Sequence, residues 1–369
     1  MRSGRFGVLS FRLFSAAGLI GAGLLIAPPG PALAEGPAPV GSRPAIQVLA
    51  SPLQLRFTTA VGERLVRKYG LPPLEVSSML AAPAVKAFCA GVGPDTPDIV
   101  ALPRQMAKRE YNQCVENGVI DIVELPIGFD ALVLVTRKGD PVFNMTLRAM
   151  YFALAAEVPQ GDDFFPNTVK RWRELDQRLP DQEITVLGSE NGTSINAFFK
   201  EIFMEGGCRG MHQFKGFYSS TDRVKACTTL REDGHFVGIK APIAVNFKPA
   251  MQAAPPGAIA VVPYTVYQRN AEALDLLPLN GVLPSDLSIK SDDYEAVSPV
   301  RFYVKRKHME PSLGGIGVVP GLYKFIEEVM SEEAIGNGGY LDVLGLVVDD
   351  QPDRQHDRDA AMRLQPYKR

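Results

Sequence analysis

Histidine, tryptophan and cysteine are scarce in this 369-residue chain, which holds four, one and four of them. The histidines lie far apart and no C-x-x-C or H-x-x-x-H spacing occurs, which excludes the common zinc arrangements and predicts no metal and no cofactor. No G-x-S-x-G elbow, P-loop or H-E-x-x-H is present, so no signature of a hydrolase, NTPase or zinc peptidase supports an enzyme. The formal net charge is −2, with no basic excess to draw the chain onto nucleic acid. After residue 26 no apolar run is long enough to span a membrane, which predicts a soluble mature protein. The Gly315–Gly321 stretch approaches a dinucleotide fingerprint, but its third glycine is one residue late and Pro320 intervenes. It reads as a loop leading into a helix.

What the chain does have begins at its N-terminus. Arg2, Arg5 and Arg12 precede an apolar stretch from Phe14 to Ile26, which Pro28, Pro29 and Pro31 end. Ala32-Leu33-Ala34 supplies the small-x-small pattern read by a signal peptidase. The apolar stretch is 13 residues, short of the roughly 20 of a membrane anchor. Residues 1–34 are therefore expected to be a signal peptide, cleaved after Ala34 and directing the chain to the periplasm. No cysteine lies near the cut, which argues against a lipoprotein. Residues 35–44 read as a flexible leader. In that oxidising compartment four cysteines allow three disulfide pairings, of which Cys89–Cys114 with Cys208–Cys227 is the local choice. Each would close a loop of roughly 20 to 25 residues, worth about 3 kcal/mol on the chain-entropy model.

Strand and helix patterns alternate along the rest. Ile46 to Leu49 is β-like; Phe57, Val61, Leu65 and Tyr69 then recur every four residues until Gly70. Residues 98–102, 120–125 and 131–136 read as strands, residues 146–158 as a helix, and residues 184–187, 258–262 and 301–305 as further strands. The basic run Lys305 to His308 reads as a solvated edge, and the last 20 residues as a terminal helix or loose tail. This alternation predicts an α/β fold with parallel sheets.

The segment 184–203 carries the most chemistry. A strand runs into Gly188 to Ser194, and Ile195, Phe198, Phe199, Ile202 and Phe203 then mark an amphipathic helix. First-turn N–H groups lack intrahelical acceptors, and the helix dipole is positive there, so the loop suits an anion. Asn191, Thr193 and Ser194 add side-chain donors, and Gly192 allows close approach. Plain N-capping by Asn191 or Thr193 is the alternative use of the same residues.

An ordered series of motifs resembles the phosphate-binding proteins of bacterial phosphate importers. It runs from Phe57-Thr58-Thr59-Ala60-Val61 through Phe88-Cys89-Ala90-Gly91, Asp98-Ile99 to Arg104, and Cys114 to Pro126. It continues through Trp172, Leu179 to Ile184, Asn191-Gly192-Thr193, Gly257 to Ala260, Val297 to Lys305, and Gly339-Tyr340-Leu341. The resemblance implies a two-lobed, type II periplasmic binding protein, each lobe a mostly parallel sheet flanked by helices. Lobe I would comprise 45–130 and 299–369, and lobe II 131–298, with crossovers near 129–132 and 297–301. It implies a monomeric substrate-binding protein of an ABC importer, delivering phosphate or a related oxyanion to an inner-membrane permease. The implied binders are Ser51, Ser78, Arg104, Ser189, Asn191, Gly192, Thr193 and Ser194, with Arg104 as an anion clamp. Tyr218, Ser219 and Ser220 are further candidates for the cleft.

The departures from the family pattern fall in that cleft. Leu53 and Leu55 stand where a hydroxyl residue and an aromatic are usual. Met79-Leu80-Ala81-Ala82-Pro83 replaces a Gly/Ser/Thr-rich turn, Pro103 replaces a serine, and Ser189 replaces an acid. Each lost donor facing a buried anion costs roughly 1–3 kcal/mol. The alternative expectation is a same-fold binding or sensor protein for a less polar small ligand.

Overall fold

The structure is a computed structural model and describes residues 42–369. The expected signal peptide and most of the leader lie outside the described residues. Arg43, near the end of that leader, is tied down: its guanidinium pairs with the buried Asp98 and its N–H donates to the Val318 carbonyl.

Twelve strands are present: β1 Gln47–Ala50, β2 Glu75–Ser78, β3 Ile99–Leu102, β4 Ile122–Arg137, β5 Glu157–Gln160, β6 Asp163–Pro166, β7 Val186–Ser189, β8 Phe236–Ile239, β9 Ile259–Pro263, β10 Leu274–Leu277, β11 Val297–Lys305 and β12 Leu346–Val347. The main sheet runs β2-β1-β3-β11-β4-β9-β7-β8, with β10 and β12 also on β4. Strands β1, β2 and β3 are mutually parallel, as are β7, β8 and β9. β3 and β9 are buried along their whole length, as strands covered on both faces must be.

β4 joins the two halves. It pairs with β11 as far as Ala131 and with β9 from Leu132 onward. The sequence reads as two strands here because Pro126 and Gly128 interrupt it. The chain instead continues as one bent strand, with a register shift in β11 between Val300 and Arg301. Gly128 has φ +131°, and a Cβ there would overlap the Val347 carbonyl, so the bend requires glycine.

Each half has its own apolar core. In the first, Phe57, Val61 and Leu65 line one face of the helix Leu55–Tyr69, which Gly70 ends at φ +65°. The second gathers around β4, β7 and β9, with Trp172, Phe198 and Phe203 fully buried. The architecture is thus the expected two-lobed α/β fold. Both local disulfides are formed, Cys89–Cys114 and Cys208–Cys227. Among the described residues no helix is long and apolar enough to cross a membrane.

Two local expectations change, and a third is decided between its alternatives. The helix expected over 146–158 stops at Leu154, because Glu157–Gln160 pairs with Asp163–Pro166 as a hairpin. Of the two alternatives for the tail, the terminal helix is the one formed: it spans Gln351–Met362, and the Tyr367 N–H then donates to the Ile122 carbonyl while its ring packs edge-on against Tyr111 and Tyr303. The Lys305–His308 run is not a solvated edge. Lys305 and His308 are buried, at 1% and 0% exposure. Lys305 donates to the Gly91 carbonyl and Thr96 Oγ1, and His308 pairs with Asp98, so an inward-facing network satisfies these polar groups.

Candidate ligand-binding site

Parallel strands bring their C-terminal ends to one edge, where open α/β sheets hold ligands. In the first lobe that edge carries Ser51 after β1, Ser78 at the end of β2, and Arg104 just beyond β3. In the second it carries Ser189 at the end of β7 and the loop to Ser194. The two edges meet. The 3-10 turn Pro52–Gln54 packs against the helix Ser194–Phe199, and Leu53 is buried among the apolar side chains of the second lobe. The turn that follows Ser51 thus lies against the helix that the 189–194 loop opens.

The loop is wired internally. Thr193 caps the helix by accepting from the Asn196 N–H at 3.1 Å, and donates its own proton to the Glu190 carbonyl at 3.0 Å. Its oxygen is 2.8 Å from Ser189 Oγ, so Ser189 is the donor in that contact. Asn196 also donates to the Ser189 carbonyl. Asn191 Oδ1 accepts from Lys200 Nζ at 3.0 Å. These bonds realise the capping use of Thr193 and commit the hydroxyls of Ser189 and Thr193 to shaping the loop. What remains for a ligand is backbone: Gly192 at φ +88° with open space beside it, and the first-turn N–H groups of Ser194 and Ile195.

Arg104 is not presented as a free cation. Both its terminal nitrogens reach Glu110, at 2.8 and 2.7 Å, and one also reaches the Gln105 carbonyl. Glu110 in turn accepts from the Ala107 N–H. Burial raises the Glu110 carboxyl, but Arg104 and the Ala107 N–H more than offset it, so the group sits below its ordinary value and the pair is ionised. Ser78 is exposed at its strand end, with the apolar Leu80 exposed at 68% beside it. Tyr218 is fully exposed and Ser219 caps the helix Ser220–Thr228, so neither is placed as a ligand group.

Four polar residues here escaped the sequence reading. Gln54 is fully buried, yet neither atom of its side-chain amide has a partner; the Ser51 hydroxyl is buried in the same condition. Such groups are expensive to leave unsatisfied, and they cluster where a polar ligand would supply the bonds. Deeper in, Arg56 Nη2 lies 2.6 Å from Asp130 Oδ1 on β4. Asp130 is fully buried, and burial raises its carboxyl against the opposing pull of Arg56. Thr265, after β9, flanks the same spot: its hydroxyl and Arg56 both face Gly345. A lone carboxylate in the apolar run Phe129 to Val135 was the available signal for Asp130, since a buried acid demands a partner.

Residues 34–333 match the PBP superfamily domain. The chain belongs to the PBP superfamily. As a member of the PBP superfamily it resembles Protein SphX of Synechococcus elongatus, with 32% identity over 129 residues; the match spans 34% of this chain and 34% of that protein. Among solved structures it resembles a possible phosphate binding protein from Planctomyces limnophilus, with a TM-score of 0.64 and 20% identity, covering 87% of this chain and 99% of that one. It also resembles PstS from Borrelia burgdorferi, with a TM-score of 0.51 and 13% identity over 84% of this chain and 100% of that one. At these identities the structural likenesses establish the two-lobed PBP fold.

Proposed function

We propose that this protein is the monomeric, periplasmic substrate-binding component of an ABC importer. On this reading it takes a small oxyanion of the phosphate class into the cleft and presents it to an inner-membrane permease. The observation that carries the reading is the meeting of two groups across the cleft. One is the helix start at Ser194, with its free N–H groups; the other is the Ser51–Gln54 turn, with three buried polar atoms lacking partners. The solved relatives, a possible phosphate binding protein from Planctomyces limnophilus and PstS from Borrelia burgdorferi, support the same reading. The lobes would be 45–130 with 299–369 and 131–298, closing about β4 and β11. The recognition set would be Ser51, Gln54, Gly192, Ser194 and the Ile195 N–H, with Ser189, Asn191 and Thr193 shaping the loop. The protein would bind and release without chemistry.

A second reading, a less polar ligand, is favoured by one group of observations. Leu53 is buried in the apolar core of the second lobe, Leu80 is exposed beside Ser78, and Glu110 already neutralises Arg104.

Isothermal titration of residues 35–369 with phosphate, arsenate and sulfate at neutral pH separates the two. Micromolar or tighter phosphate binding, weakened at least tenfold by Thr193→Ala and by Gln54→Leu, is the expected result. No heat and no thermal shift at millimolar oxyanion would overturn the oxyanion reading in favour of the less polar ligand.

A further inference from the structure

Four Asn-Gly pairs occur in the chain, at 117–118, 191–192, 280–281 and 337–338. Such pairs are chemically labile, because a glycine nitrogen with no Cβ beside it can attack the side-chain amide of the preceding asparagine. All four are exposed, and their glycines share one backbone region, with φ from +78° to +88°. Exposure and conformation therefore do not separate them. Their hydrogen bonds do. The Gly118 N–H is held by the Val115 carbonyl at 3.0 Å, the Gly281 N–H by Asn144 Oδ1 at 2.7 Å, and the Gly338 N–H by Asp342 Oδ2 at 2.8 Å. Each of those nitrogens must break a bond before it can react. Two of the side chains are held as well: Asn117 Nδ2 donates to the Cys89 carbonyl and Asn280 Nδ2 to Glu295. The Gly192 N–H donates to none of the described residues.

Asn191 also differs at its own carbonyl. Its Oδ1 accepts from Lys200 Nζ at 3.0 Å, and Lys200 makes no ion pair with any described residue. The other three asparagines have no cationic donor on Oδ1 among the described residues. Attack on the amide places negative charge on that oxygen, and a charged donor already in position stabilises it. The 191–192 pair thus combines an unheld nucleophile with a polarised electrophile.

We infer that Asn191 is a site of self-modification, at which the amide becomes a carboxylate. The Gly192 nitrogen loses its proton to solvent and bonds to Asn191 Cγ. The Cγ–Nδ2 bond breaks and ammonia leaves, taking up a proton. Water then opens the cyclic imide, at one carbonyl to give aspartate and at the other to give isoaspartate. Either product puts a carboxylate next to Gly192, where it repels a bound anion. Isoaspartate also adds a carbon to the main chain just before the Thr193 cap. Conversion therefore lowers the affinity of the cleft; this consequence rests on the oxyanion reading, whereas the modification itself does not.

The test ages residues 35–369 at mildly alkaline pH and follows each pair by peptide mapping with mass spectrometry, with isoaspartate read by enzymatic methyl transfer. Asn191 should convert at least tenfold faster than Asn117, Asn280 and Asn337, and the four rates should converge in urea. Lys200→Met should slow Asn191 several-fold and Lys200→Arg should restore it, with far-UV circular dichroism verifying that both variants fold. Equal rates at the four pairs in the folded chain, a tenfold preference that persists in urea, or an unchanged rate in folded Lys200→Met would overturn the proposal. The consequence is read separately: the aged form and Asn191→Asp should bind phosphate at least tenfold more weakly than the unaged chain, and equal affinity would overturn the loss of binding. A chain that binds no oxyanion before ageing would defeat the cleft reading, while the mass spectra still decide the modification.

Discussion

At the scale of single residues, the network around Asp98 sets how stability responds to pH. His308 Nε2 accepts the Gly93 N–H at 3.0 Å, so the ring proton sits on Nδ1 and is donated to Asp98 at 2.7 Å. That arrangement holds the ring neutral, and burial lowers its affinity for a second proton. Lys305, in the same network, is lowered by burial from 10.5 to about 7, with Asp98 opposing. Both are bases that hold fewer protons folded than unfolded, so each adds stability as pH rises. The Lys305 contribution grows from pH about 7 toward 10.5; the His308 contribution is lost as pH falls below 6.5. Urea denaturation should therefore give an unfolding free energy about 2 kcal/mol larger at pH 9 than at pH 7. Lys305→Met should flatten that rise; an unchanged slope in the variant would remove Lys305 as its source.

At the scale of elements, the helix Leu55–Tyr69, the buried strand β3 and the β7-loop-helix unit were all legible, because apolar period and turn residues there agree with the final packing. Short strands such as Phe236–Ile239 and Leu274–Leu277 were not, because four residues whose burial does not alternate carry no decisive period. The site was legible as a place but not in detail. Asn191 to Ser194 marked the loop, yet nothing in the order of residues says that Glu110 will occupy Arg104, or that Gln54 will be buried. Those facts depend on which neighbours the fold supplies. β4 shows the same limit: Pro126 and Gly128 signal interruption, while the sheet uses them as a bend. Gly128→Ala places a methyl group against the Val347 carbonyl at a φ that L-residues avoid. It should destabilise the protein on the order of 2 kcal/mol in urea denaturation. A loss below a few tenths would mean the strand relaxes freely at the crossover.

At the scale of the whole molecule, the contact between lobes is apolar where the resemblance anticipates a hydroxyl. Leu53 leaves the first lobe and is 2% exposed in the core of the second. Burying such a side chain contributes roughly 1.5–3 kcal/mol. That energy favours the closed arrangement with or without a ligand, and a ligand shifts the equilibrium only by its preference for one state. The closed population should therefore be high before any ligand arrives, and ligand entry should wait on opening. Small-angle scattering of the unliganded protein should give a radius of gyration that phosphate does not reduce further. Leu53→Ser removes the buried apolar anchor but keeps a hydroxyl at the tip of the turn. The variant should scatter as a larger particle and contract on adding saturating phosphate. A variant as compact as the parent would show that Leu53 does not hold the lobes, and that the helix at Ser194 and the Arg56–Asp130 pair suffice to keep them together.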